Sequence, residues 1–298
     1  MADIGAYLVG RMDGDWPSAA TPAKDMLFAA VRKDDDTLEG VEFAHCTFAN
    51  VSFKNANLNQ CRFLNCAFLN CYFRRTQIIG GAFIGCKFIA CDFPHVTIQS
   101  CDFKYSRFEE CYIPFDEMEH SLPREPNLRE ELTHSLSIAS DGLGLNSDGR
   151  KYRLASIQAR EENLKAAILG NSDWYQRHYV GLRKLKALGQ LFASKMNGII
   201  WGYGEKWHIL IRNLLFLAVL FFPAILWFFR NNVQPSAKNW GIWEFIWLSV
   251  TTIIPVGRAV VVESTDWIVW SILTLEALVG VLASGLLVTM LVRRMVKR

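Results

Sequence analysis

The run Ser249-Val250-Thr251-Thr252-Ile253-Ile254-Pro255-Val256-Gly257-Arg258 carries most of the chemistry this chain has to offer. It brings together hydroxyls, backbone carbonyls and one cation. A short apolar segment that closes on a Thr-Thr turn aims the end of its helix dipole there, which suits the mouth of an ion path. Arg258, repeated around an oligomer, would form a positive ring that favours anions over cations. Turned sideways, it would instead pair with Glu263 or a lipid phosphate. Further on, Glu276 is an acid in an apolar stretch, an expensive placement and a functional candidate by default. It either hydrogen-bonds back toward Ser249 or Thr251, or faces water itself. No nucleophile, base and orienter group together, so no enzymatic activity is expected. His134, His178 and His208 are too scattered for a metal site, and no metal or other cofactor is expected.

Three apolar segments must position these groups. Ile209 to Phe229 is long enough to cross a hydrocarbon core of about 30 Å as a helix, with Arg212 able to snorkel at its inner end. Trp267 to Val292 is longer and could span with tilt. Between them, Trp243 to Ile254 is apolar but too short to span, which suits a re-entrant segment. Helix, half-helix with a Thr-Thr turn, helix is the layout of a pore. On a helical wheel, Ser271, Thr274, Leu278, Leu282, Gly285 and Thr289 form one stripe of the last segment, expected to line that pore. Glu276, Gly280, Ala283, Ser284 and Leu287 form another, rich in small residues and expected to pack on neighbouring helices. Gly280 reads equally as a gating hinge or a packing glycine. Trp227, Trp240, Trp243, Trp267 and Trp270 suggest an aromatic belt at the outer boundary, and Pro223 a kink in the first span.

The chain has 298 residues, 20% of them charged, a formal net charge of +3 and a mean hydropathy of +0.13. That charge is too small to imply nucleic acid, and most charged residues precede Trp207. The N-terminus MADIGAYLVGRMDGD is polar and acidic, so no secretory signal is expected. Arg183, Lys184, Lys186, Lys195, Lys206 and Arg212 flank the first span, and Arg293, Arg294, Lys297 and Arg298 follow the last. The intervening loop balances Arg230, Lys238 and Arg258 against Glu244, Glu263 and Asp266. The positive-inside rule then places both termini in the cytoplasm.

Large apolar residues recur at every fifth position from Leu38 through Phe43, Phe48, Phe53 and onward to Phe108 and Ile113. Neither a helix nor a strand has this period; a solenoid does. A small residue stands two places before each centre. All eight cysteines (Cys46, Cys61, Cys66, Cys71, Cys86, Cys91, Cys101 and Cys111) occupy that slot. There they read as small buried hydrophobes rather than metal ligands or disulfide partners. The pattern resembles the pentapeptide-repeat family, which implies a right-handed quadrilateral β-helix over roughly Asp36 to Ile113. Some members of that family are acidic DNA mimics. Here Lys54, Arg62, Arg74, Arg75, Lys87, Lys104 and Arg107 offset Glu39, Glu42, Asp92, Asp102, Glu109 and Glu110, a poor imitation of a polyanion. A scaffold, cap or docking surface for a cytoplasmic protein is the expected role.

Between solenoid and spans, a turn-rich stretch with a helical run around Leu128 to Ile138 leads to expected helices at Arg150–Leu169 and Trp174–Met196. Gly202-Tyr203-Gly204 has the composition of a potassium filter but precedes the first span, so it reads as a bend. With the repeats and the helical connector, the whole resembles a bacterial family of pentapeptide-repeat channels with two transmembrane helices. In potassium channels the pore helix leads into Thr-Val-Gly-Tyr-Gly-Asp. Phe245 to Thr252 matches the helix end and filter entry, but Ile253-Ile254-Pro255-Val256-Gly257 stands where the glycine-rich filter would be. The lost glycines and added proline argue against potassium selectivity.

The fold expected is therefore mixed. An N-terminal segment (1–35) precedes a cytoplasmic β-helix (36–115), a helical connector (116–206) and a two-span pore domain with a re-entrant pore helix (207–298). The resemblance implies an inner-membrane homotetrameric ion channel, partnered by bilayer and permeant ion. The rival is a membrane-anchored adaptor whose pore has decayed, supported by the missing glycines.

Overall fold

The computed structural model describes residues 16–17, 22–233, 239–254 and 266–296. The chain divides at Leu188 into two compact units.

In the first unit, three parallel sheets wind around one core. They comprise β1 (Ala23–Lys24), β4 (Glu42–Ala44), β7 (Arg62–Leu64) and β10 (Ala82–Ile84); β2 (Leu27–Ala29), β5 (Thr47–Ala49), β8 (Ala67–Leu69), β11 (Lys87–Ile89) and β13 (Arg107–Glu109); and β3 (Thr37–Glu39), β6 (Asn57–Asn59), β9 (Gln77–Ile79) and β12 (Thr97–Gln99). Isolated bridges joining Arg32, Ser52, Tyr72, Asp92 and Tyr112 form the fourth side. Partners such as Phe43 and Phe63 are one coil apart, so four five-residue sides close each turn. The sides are short because the chain turns a corner every fifth residue. From Asp25 to Glu110 those corners adopt positive φ, and among them only Gly40, Gly80 and Gly85 are glycine. Asn50, Asn55, Asn65 and Asn70 suit the left-handed region, where asparagine is enriched.

Inside, the central phenylalanines form ladders. Phe48, Phe68, Phe88 and Phe108 stack with ring centroids 4.7, 4.7 and 4.6 Å apart. Phe43, Phe63, Phe83 and Phe103 form a second ladder, and Phe53, Phe73 and Phe93 a third. Each buried Phe contributes about 1.5–3 kcal/mol through burial alone.

The solenoid starts earlier than the periodicity indicates, and Ala23 rather than residue 36 opens it. Ala23, Phe28 and Lys33 continue the five-residue register backward. Lys33 hid this coil, because a cation at a central position reads as a break. It is accommodated at the solenoid's end: its ammonium lies 4.9 Å from the centroid of the Trp16 ring and 3.0 Å from Asp36 Oδ2. The indole of Trp16 covers Phe28, Phe43, Phe48 and Phe53.

After a short turn, α1 (Phe115–Met118), the hairpin of α2 (Pro126–Gly142) and α3 (Asn146–Leu169) closes the opposite end. Leu132, Leu136 and Tyr152 join the solenoid's own hydrophobic cluster. Tyr152 Oη donates to Ile113 O at 3.0 Å, and Tyr112 Oη to Asp148 Oδ2 at 2.8 Å. Burial first, then the Asp148 carboxylate, pushes the Tyr112 phenol up to about 12. Both helices begin earlier than expected from sequence. The helix expected over Trp174–Met196 is two: α4 (Asp173–His178) and α5 (Leu182–Trp201), separated where Gly181 takes φ 57°.

In the second unit, Trp207–Phe228 and Trp267–Val292 are long and apolar enough to span a membrane, with 22 and 26 residues. The first comprises α6 (Trp207–Phe216), a π-helical turn (Leu217–Phe221) and α7 (Phe222–Phe228). The wide turn ends two residues before Pro223, whose ring lacks a donor and crowds the carbonyls of that turn, so local unwinding relieves both. After α8 (Arg230–Val233), the short apolar α9 (Ile242–Ile253) packs against both long helices, the second of which belongs to α10 (Trp267–Val296).

Candidate functional site

Along most of its length α9 is wedged between the first long apolar helix and α10. Phe245 and Leu248 are fully buried with Leu226, Val233, Val269 and Leu273. One turn on, Ile253 packs against Ala218 and Phe222. Thr252 is buried and Thr251 half-buried, and both hydroxyls donate to carbonyls of their own helix: Thr252 Oγ1 to Leu248 O at 2.8 Å, Thr251 Oγ1 to Trp247 O at 2.9 Å. The helix ends at Ile254, which is extended (φ −81°, ψ 119°) and exposed. Pro255, Val256, Gly257 and Arg258 lie outside the described residues.

Two contacts brace α9 on α10. Ser249 Oγ donates to Glu276 Oε1, and both residues are fully buried. This is the contact that a supporting role for Glu276 requires. Gly280 faces the backbone of Ile253: a Cβ there would fall 2.7 Å from its carbonyl carbon and 2.9 Å from its Cα. No side chain fits, so close packing alone accounts for this glycine. Val269, Leu273, Glu276, Gly280 and Ala283 together make the buried face of α10.

The other stripe is left uncovered. Ser271, Thr274, Leu278, Leu282, Gly285 and Thr289 are all exposed in the single chain. Ser271 and Thr289 return their hydroxyls to the helix, donating to Trp267 O and Gly285 O at 2.8 Å each. A Cβ at Gly285 would meet nothing within 4 Å, unlike one at Gly280. The aromatic residues Trp227 and Trp240 pack edge-on to Phe245 beside the start of α9.

Gly202, Tyr203 and Gly204 have φ of 61°, 58° and 74°. Three successive left-handed residues make a tight reversal, which explains why two of them are glycine. Tyr203 folds onto Gly198, where a Cβ would lie 2.6 Å from its ring. Asn213 secures the turn from the first long helix, its amide donating to Ile199 O at 2.5 Å and Ile200 O at 2.9 Å. Asn213 carried no periodic signal in the sequence; a lone amide in an apolar segment was the available clue.

The cysteine slot has a second property that its small size concealed. Cys61, Cys71 and Cys86 direct Sγ at the carbonyls of Leu38, Phe48 and Phe63 in the previous coil, at 3.3, 3.3 and 3.2 Å. Thr76 and Ser106 do the same through hydroxyls, at 2.7 and 2.5 Å. The slot therefore prefers a small weak donor. Burial pushes the thiols of Cys61, Cys91 and Cys101 up, which keeps them protonated and unreactive.

These features define the N-terminal part as a pentapeptide-repeat β-solenoid. Its sequence matches the family of pentapeptide repeats (9 copies) over residues 37–77. Among solved structures, the chain is similar to HetL, a pentapeptide-repeat protein involved in heterocyst differentiation regulation from the cyanobacterium Nostoc. That match has 6% identity and a TM-score of 0.22, covering 31% of this chain and 41% of HetL. It is also similar to a trypsin-treated form of QnrB1, a plasmid-mediated fluoroquinolone resistance protein. Here identity is 14% and the TM-score 0.20, covering 32% of this chain and 56% of that one. The chain thus spans less than two thirds of either protein. No curated protein matches it in sequence.

Proposed function

We propose that this chain is one subunit of a homo-oligomeric ion channel, with the solenoid as its cytoplasmic assembly or gating module. The observation that carries the reading is the bracing of α9. A short apolar helix ending in Thr251-Thr252 is held at Ser249 and Ile253 by the buried face of α10, while the hydroxyl-bearing stripe from Ser271 to Thr289 stays uncovered. In a closed ring that stripe would face the conduction path, and Glu276 would support the pore helix from behind. Only 28% and 17% of the apolar windows of the two long helices are buried within one chain, as lipid- and subunit-facing helices require and soluble core helices do not.

One hairpin cannot enclose a pore, so the reading demands an oligomer, a tetramer by family resemblance. The membrane is the inner membrane of a bacterium, with both termini cytoplasmic by the distribution of basic residues. The filter is non-standard and not selective for potassium; a ring of Arg258 side chains makes the pore weakly selective or anion-permeable. The chain carries no enzymatic activity. The second reading, a membrane-anchored scaffold without conduction, draws on Ile253, Ile254 and Pro255, which resist the backbone conformations of a glycine filter.

The deciding experiment is ion flux through purified protein in liposomes under a potassium chloride gradient, beside Arg258→Glu. Wild-type current whose reversal moves toward potassium in the variant supports the channel. Intact oligomers silent in both forms favour the scaffold.

A further inference from the structure

We propose that α5 lies in the membrane–water interface and binds a bilayer surface containing anionic lipid. At 100° per residue, Leu182, Leu185, Leu188, Phe192, Met196 and Ile199 fall within an arc of about 120° on α5. Among the described residues nothing covers this face: Leu182, Leu185, Phe192 and Ile199 are 84, 64, 67 and 59% exposed. Lys186 flanks one edge of the arc, and Lys184 and Lys195 the other. Together with Arg183 these are the charged residues of the helix, which contains no acid. A protein groove would match the apolar arc alone. A bilayer matches both features, taking the apolar side chains among the acyl chains while the lysines snorkel to headgroup phosphates on either side.

Position supports the same occupant. Asn213, in the second turn of the first long helix, holds the carbonyls of Ile199 and Ile200, so the last turn of α5 sits beside the beginning of that helix. If Trp207–Phe228 spans the bilayer, α5 ends at its boundary; the inference rests on that reading. Each lysine near an anionic leaflet strengthens the attachment roughly fivefold, and salt screens it.

The test uses full-length protein in liposomes of phosphatidylcholine, with or without phosphatidylglycerol. Nitroxides are attached at Phe192→Cys on the apolar face, Gln190→Cys on the polar face and Leu220→Cys in the first long helix. Wild-type protein supplies the labelling baseline for the buried native thiols. With anionic lipid present, position 192 should collide preferentially with oxygen and position 190 with a water-soluble nickel chelate. Combining Lys184→Glu, Lys186→Glu and Lys195→Glu should return position 192 to water without moving position 220. If 192 is as wet as 190 while 220 remains in the bilayer, α5 is not interfacial and the proposal falls alone. If 220 is also wet, the span itself is refuted. Strong spin–spin broadening between copies at 192 would show a second chain on this face and overturn the lipid assignment.

Discussion

Alanine at Gly280 should separate close packing from hinge flexibility. A Cβ there meets the Ile253 backbone at 2.7 and 2.9 Å, distances at which one helix must move. Overpacking of this kind costs about 1–3 kcal/mol. Part of that cost is masked, because Ala is better than Gly within a helix by up to about 1 kcal/mol. Gly285→Ala supplies the control: it receives the same propensity gain in the same helix, but its Cβ meets nothing within 4 Å. The difference between the two variants isolates the clash, and Gly280→Ala should be the less stable by about 1–3 kcal/mol. Tryptophan fluorescence during thermal unfolding is a suitable assay, since eight of the ten tryptophans lie from Trp201 onward and report on the helical unit. Equal stability of the two variants, or a more stable Gly280→Ala, would refute the packing account and return Gly280 to the hinge reading.

Two further outcomes concern the solenoid. Cys86→Ser should change stability by less than about 1 kcal/mol, because a hydroxyl can replace the thiol at Phe63 O as Ser106 does at Phe83 O; Cys86→Leu should lose about 1–3 kcal/mol by overfilling the slot, both read by circular dichroism on thermal melting. The capping hairpin should loosen in alkali: the Tyr112 phenol is raised from its ordinary value near ~10 to about 12, so its contribution is complete below ~10 and disappears as pH rises through about 12. Hydrogen exchange across α2 and α3 should show that loss in wild type and a smaller one in Tyr112→Phe, with the buried phenol of Tyr152 supplying the remainder.

What was legible in the sequence was periodic or a matter of length. The five-residue spacing of phenylalanines specifies a solenoid because each short side must bury one residue, and the same spacing sets the cysteines two places ahead. Two apolar runs of spanning length, with a shorter one between them, announced the helical unit, since length and hydropathy are local properties. Glu276 was identifiable because an acid in an apolar helix needs a partner, and Ser249 lay within reach of the expected packing.

Tertiary structure alone decided the contacts between distant residues. Lys33 concealed the first coil, because its ammonium is accommodated at the solenoid's end by the Trp16 indole packed over it together with the Asp36 carboxylate. The hairpin of α2 and α3 reads as a spacer in sequence, yet it closes the solenoid, because Leu132, Leu136 and Tyr152 find their partners only at the end of the stack. Gly280 left hinge and packing equally open until Ile253 was found against it. In each case the deciding energy comes from a neighbour that no local period specifies.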